Sequence, residues 1–332
     1  NAEIPVSYYH APLTVENKIL EDLSLNTNAL VAAVNVPHFY AATANELRTY
    51  HQYTGELIST LLVSPLDSEL EQLILHPDGQ FLLAKAEVTT INDDDTTTTA
   101  THRYRINITD GTIIELVDSS ILYEPLNFVT FAGRHFIVTQ ALEFADENLQ
   151  QLAWDNENAF LIRDFSQANN TDALYVLDAT NNTIKKITAR VNDFTDIKII
   201  PEITSEYRPE SLPEGSTISD LVVSNNESAL FLNSETVEYI TFDGENYVEQ
   251  GLLTQTESNT TLAINKDKHG NIAFTRYDPA PNKGIVVDIY NPQGIHKNSL
   301  LTGGQVPETI TITQDSKQLV IQASQQVELV AL

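Results

Sequence analysis

The chain has 332 residues, 42% hydrophobic and 19% charged, which is enough apolar material for a sizeable core and too much for a wholly disordered polymer. Its 18 basic residues stand against 46 acidic ones, a formal charge of -28 that repels phosphate backbones and anionic membrane surfaces, so nucleic acid is not expected as a partner. Cysteine is absent, which excludes disulfides, thiolate metal sites and a cysteine nucleophile.

The chain opens Asn1-Ala2-Glu3 without a methionine and reads as a processed or truncated product. An extracytoplasmic setting is therefore expected: periplasmic, secreted or cell-surface, the last through a lipid anchor on a removed N-terminus. No run approaches the roughly 18 apolar residues of a membrane helix, so no membrane insertion is expected. From Ile19 onward, short runs rich in Val, Ile, Thr, Tyr and Phe recur between Asn, Asp, Gly and Pro clusters, an all-β pattern.

Apolar hairpins are predicted to begin near Leu30, Leu70, Leu126, Leu152, Leu221, Leu262 and Ile310. Most are followed by a second hairpin. The first of these spans Leu47 to Val63 and turns at Thr54-Gly55; Tyr104 to Val117 turns at Asp110-Gly111, and Leu174 to Ala189 at Asn181-Asn182. Val237 to Leu253 and Val286 to Leu301 continue the series. Two segments interrupt it and read as long loops: Asn92 to Thr99, which contains Asp93, Asp94 and Asp95, and Thr195 to Gly215, which contains Pro201, Pro209 and Pro213.

Two consecutive hairpins make a four-stranded antiparallel unit, and repetition every 40 to 50 residues or so is the spacing of β-propeller blades. The chain fits six or seven such blades, seven being the better count, as one domain over residues 1–332. The close spacing of Leu126 and Leu152 predicts that one blade is short or interrupted. The last unit offers three strands, so the segment around Ile19 to Leu25 is expected to supply the fourth and close the ring.

The stretch from Leu174 to Ile187, beginning Leu-Tyr-Val-Leu-Asp, resembles the second hairpin of bacterial YVTN-type propeller repeats. His76-Pro-Asp-Gly-Gln-Phe-Leu-Leu83 resembles turns in YVTN and lactonase-type propellers. The resemblance implies architecture; a lactonase-like member would hydrolyse a small cyclic ester in the central channel, and no residue of this chain carries over from that activity.

Gly-rich phosphate loops, a Rossmann fingerprint, His-Glu-x-x-His and Gly-x-Ser-x-Gly are all missing. The eight histidines lack the short spacing that places two on one metal and are read as structural or surface groups. Asp93, Asp94 and Asp95 offer hard oxygens to a cation but lack the alternation and glycine of a calcium loop; no cofactor is expected. Trp154 is predicted at the end of an inner strand, where it packs between blades or stacks a sugar or aromatic ligand. Tyr207, Arg208 and Glu210, in the second long loop, are the recognition candidates, because loops on a rigid ring carry function. The expected function is non-catalytic binding of a protein or polysaccharide; the alternatives are the lactonase-like hydrolase and a calcium- or carbohydrate-binding propeller.

Overall fold

A computed structural model of the chain describes residues 18–21, 30–65, 68–92, 96–153, 160–192, 198–210, 216–234, 237–242, 247–254, 264–267, 269–278, 284–301, 309–313, 317–323 and 326–331. Strand β1 (Lys18–Glu21) is followed by the first blade, β2 (Leu30–Ala32), β3 (His38–Thr43), β4 (Glu46–His51) and β5 (Leu57–Leu62). The second blade is β6 (Ser68–Leu75), β7 (Phe81–Ile91), β8 (Thr97–Asn107) and β9 (Ile113–Glu115). The third is β10 (Pro125–Phe131), β11 (Arg134–Thr139), β12 (Phe144–Ala145) and β13 (Gln151–Ala153). The fourth is β14 (Ile162–Ala168), β15 (Ala173–Asp178), β16 (Thr183–Asn192) and β17 (Lys198–Tyr207). The fifth is β18 (Asp220–Val223), β19 (Ala229–Asn233), β20 (Val237–Phe242) and β21 (Tyr247–Thr254). The sixth is β22 (Ile264–Lys266), β23 (Ile272–Asp278), β24 (Gly284–Tyr290) and β25 (His296–Leu301). The seventh is β26 (Thr309–Ile312), β27 (Gln318–Ala323) and β28 (Gln326–Ala331).

Within each blade consecutive strands pair antiparallel, and β1 pairs with β28, Lys18 opposite Leu329 and Glu21 opposite Gln326. The first strand in the chain thus completes the last blade. This is a seven-bladed β-propeller, closed by the N-terminal strand as expected. Among the described residues no helix is long and apolar enough to cross a membrane.

In β3, β11, β15, β19 and β27 the second strand of the blade is buried over successive residues without alternation, because neighbouring blades cover both of its faces. Ala173–Asp178 is buried at every position, and Phe81 to Ala84 and Phe136 to Thr139 are likewise buried. Each such Leu, Ile or Phe contributes about 2 kcal/mol relative to exposure. Apolar clusters bridge all seven junctions. One runs from Val320 and Leu329 through Phe39 to Leu82; others join second to third, third to fourth, fourth to fifth, fifth to sixth and sixth to seventh blades.

Three expectations are corrected. The hairpin predicted near Leu152, over Leu149 to Ile162, is divided between blades: Leu152 lies on β13, the outermost strand of the third blade, and Ile162 opens the fourth. The third blade is the short one, with a two-residue β12 and a bulge in its pairing to β13. The segment from 195 to 215 holds a ten-residue strand, β17, whose Pro201 sits opposite Ala189. Proline is tolerated there because β17 is an edge strand, where a missing N–H breaks no second ladder. In the segment from 92 to 99, Thr97 to Thr99 belong to strand β8, Thr97 pairing with Ile91 and Thr99 with Thr89; Asp93, Asp94 and Asp95 lie outside the described residues.

Candidate functional site

The innermost strands β2, β6, β10, β14, β18, β22 and β26 line a central channel of about 870 Å³. Leu73, Leu126, Phe165, Val222 and Ile264 give it an apolar wall. Its amide side chains fasten one inner strand to the next. Gln72 Nε2 donates to Pro125 O at 2.9 Å, and Asn265 Nδ2 donates to Ile310 O at 2.8 Å. Gln167 accepts the Thr130 N–H at 2.7 Å and donates to the Thr130 carbonyl.

The charged groups of the wall are engaged in the same way. Lys266 Nζ donates to Val223 O at 3.0 Å and to the Gln167 carbonyl, and burial lowers its pKa to about 8. Asp164 Oδ2 accepts the Leu221 N–H at 2.6 Å. Asp164 is half-buried by exposed area yet ringed by protein, so burial, with Asp220 adding, raises its pKa to about 7 against those backbone bonds. Burial raises Asp220 too, although it accepts Ser219 Oγ–H at 2.7 Å and Asn233 Nδ2–H at 3.0 Å. Arg163 donates to Ile218 O at 2.6 Å and Ala179 O at 3.2 Å, and Asp172 accepts the Ala132 N–H at 2.9 Å. The channel wall is a set of blade-to-blade fasteners.

A different surface is prominent at the rim. Strand β5 is hydrogen-bonded on one side only, to β4, and its sequence Leu-Ile-Ser-Thr-Leu-Leu carries Leu57, Ile58 and Leu62 at 49%, 48% and 56% exposure. Edge strands are ordinarily protected by charge or proline. Among the described outermost strands longer than three residues, β1, β17, β21 and β25 each carry charged residues; β5 carries neither charge nor proline. On β9, the outermost strand of the second blade, Ile114 is 51% exposed. This apolar edge escaped the sequence reading, although the uncharged run from Leu57 to Val63 was visible in it.

The recognition candidates are placed as follows. Tyr207 ends β17, opposite Ile184, and its ring stacks on Tyr247 of the fifth blade at 4.4 Å, so it helps join two blades. Arg208 and Glu210 follow it on the surface, both exposed. Trp154 lies just past β13 and outside the described residues, as do Asp93 to Asp95. The structure does not bring Tyr207 into the channel, whose lining comes from the inner strands and their turns.

No family model matches the chain, and no curated protein matches it. Among solved structures 848 chains match, so many that the likeness identifies an architecture and nothing narrower. One is a chain from the crystal structure of the mitotic checkpoint complex, with a TM-score of 0.63 and 10% identity over 100% of this chain and 95% of that one. At that identity the likeness establishes the fold alone, in agreement with the seven sheets.

Proposed function

We propose that this chain is a non-catalytic, extracytoplasmic propeller of the YVTN-like kind that binds a protein partner by adding an extended segment of it to β5. The single observation that carries the reading is the contrast between the two surfaces. The polar groups of the channel are engaged with neighbouring blades, while β5 offers an unprotected hydrogen-bonding edge flanked by exposed Leu57, Ile58 and Leu62. Strand addition draws affinity from the main chain and specificity from alternate side chains. With a formal charge of -28 on the chain, the segment that fits is apolar at its centre and basic at its flanks. The YVTN-like assignment is supported by the β15–β16 hairpin, whose Asp178 accepts the Thr180 N–H at 2.8 Å and pairs with Lys185 at 2.9 Å.

Panning a random peptide library on the intact chain tests this, with an Ile58→Lys variant as counter-selection. The reading expects basic-flanked apolar peptides whose affinity falls tenfold or more on Ile58→Lys. Peptides that bind both proteins equally, or self-association through β5 in place of peptide capture, would contradict it. Hydrolysis of a lactone panel that disappears on Asp164→Asn would move the assignment to the hydrolase.

A further inference from the structure

His76, Asp78 and His135 meet at the junction of the second and third blades. His76 follows β6, Asp78 lies in the Pro77-Asp78-Gly79 turn, and His135 is the second residue of β11. One ligand atom from each lies within 4.8 Å of the others. The turn is held in place: Gly79 has φ +69, and a Cβ there would come within 3.2 Å of Asn35 Nδ2, whose amide donates to Asp78 O at 3.0 Å.

The two imidazoles are oriented by packing and the carboxylate is not. The His76 ring stacks on Phe81 at 4.4 Å and meets Phe128 edge-on at 4.9 Å. Its Nδ1 lies 3.9 Å from Asp78 Oδ2 and accepts the Asp78 N–H at 3.3 Å, a long hydrogen bond that a bound ion would displace. His135 holds Nδ1 against Thr130 Oγ1 at 2.9 Å and turns Nε2 to Asp78 Oδ1 at 3.3 Å. Asp78 is 55% exposed, with room to change rotamer.

We propose that His76 Nδ1, His135 Nε2 and the Asp78 carboxylate form a site for one divalent first-row transition ion, zinc being the type case, that fastens the second blade to the third. Two imidazoles and a carboxylate are the donor set that suits zinc, nickel or copper, whereas calcium and magnesium take oxygen ligands. Tetrahedral zinc holds its ligand atoms about 3.3 Å apart; the Asp78 carboxylate already stands 3.3 Å from His135 Nε2 and 3.9 Å from His76 Nδ1, so closing the site requires the two imidazoles, whose ligand atoms lie within 4.8 Å, to draw together by a small ring rotation. Thr130 acts as the outer partner that orients a metal-bound histidine through its second nitrogen. Glu147 and Arg105, paired with each other at 2.9 Å, are the other charged groups near His76.

The test is to strip the purified full chain with a chelator and titrate it with zinc chloride by calorimetry and with cobalt(II) by visible absorption. The site predicts one equivalent bound at micromolar affinity or tighter, with the intense visible bands of four-coordinate cobalt. Asp78→Asn and His135→Gln each weaken binding tenfold or more. His102→Gln, which alters the separate His102–Glu115 pair, leaves it unchanged. Asp78→Asn changes an exposed turn residue and keeps the fold, so it remains decisive if the histidine variant is unstable. Absence of saturable zinc binding, or binding that Asp78→Asn does not weaken, overturns the proposal.

Discussion

Asp164 and Lys266 line the same channel and titrate in opposite senses. Asp164 has a folded pKa of about 7 against an ordinary 3.8, so its contribution to stability is complete near pH 4 and is lost as pH rises through 7. About three pH units at about 1.4 kcal/mol each set a ceiling of roughly 4 kcal/mol. Lys266 has a folded pKa of about 8 against 10.5, so the penalty for burying its charge is full below about pH 8 and relieved as pH rises to 10.5. Denaturant melts across this range check both signs. The stability difference between wild type and Asp164→Asn should fall from pH 4 to 7, and that between wild type and Lys266→Met should rise from pH 8 to 10.5. Parallel profiles for wild type and variants would contradict the assigned environments.

At the scale of the element, the short third blade is organised by one buried carboxylate. Glu143 is 0% exposed and accepts the Leu122 N–H at 3.0 Å, the Tyr123 N–H at 2.9 Å, Thr139 Oγ1–H at 3.1 Å and Gln151 Nε2–H at 2.8 Å. These bonds tie β11, β13 and the loop before β10 around a β12 of only two residues. Glu143→Ala is expected to destabilise the fold by about 3 kcal/mol, since several donors lose their acceptor, and Glu143→Gln to destabilise less. Thermal melts check this; unchanged melting of both variants would remove Glu143 from the account. The same blade shows where the sequence misleads. Its strands are too short for alternation to register, so Leu149 to Ile162 reads as a hairpin of its own. β17 is misread for a related reason: an exposed edge strand mixes Ile with Lys and Glu in no regular alternation and tolerates Pro201, which together look like loop. The turn chemistry of Pro77-Asp78-Gly79 and the apolar runs of β7, β15 and β19 are local and legible. The meeting of His76 with His135 crosses two blades and leaves no mark in residue spacing.

For the whole molecule, stability rests on closure, because each blade buries its faces only against its neighbours. Removing residues 1–21 takes away β1, leaves the seventh blade three-stranded and opens the edge of β28. The truncated chain is expected to melt lower and to associate through that edge, as calorimetry and sedimentation would detect. An unchanged, monomeric, equally stable truncation would show that the ring does not depend on its N-terminal strand. The formal charge of -28 adds self-repulsion, so added salt should raise the melting temperature of the intact chain.

In the function proposed above, the ring is a scaffold and β5 its docking edge. Hydrogen–deuterium exchange of the intact chain, with and without a selected basic-flanked peptide, tests it most directly. New protection is expected to concentrate at Leu57–Leu62, with the channel strands unchanged. Protection at the channel wall around Asp164 and Lys266, with β5 exchanging freely, would contradict it.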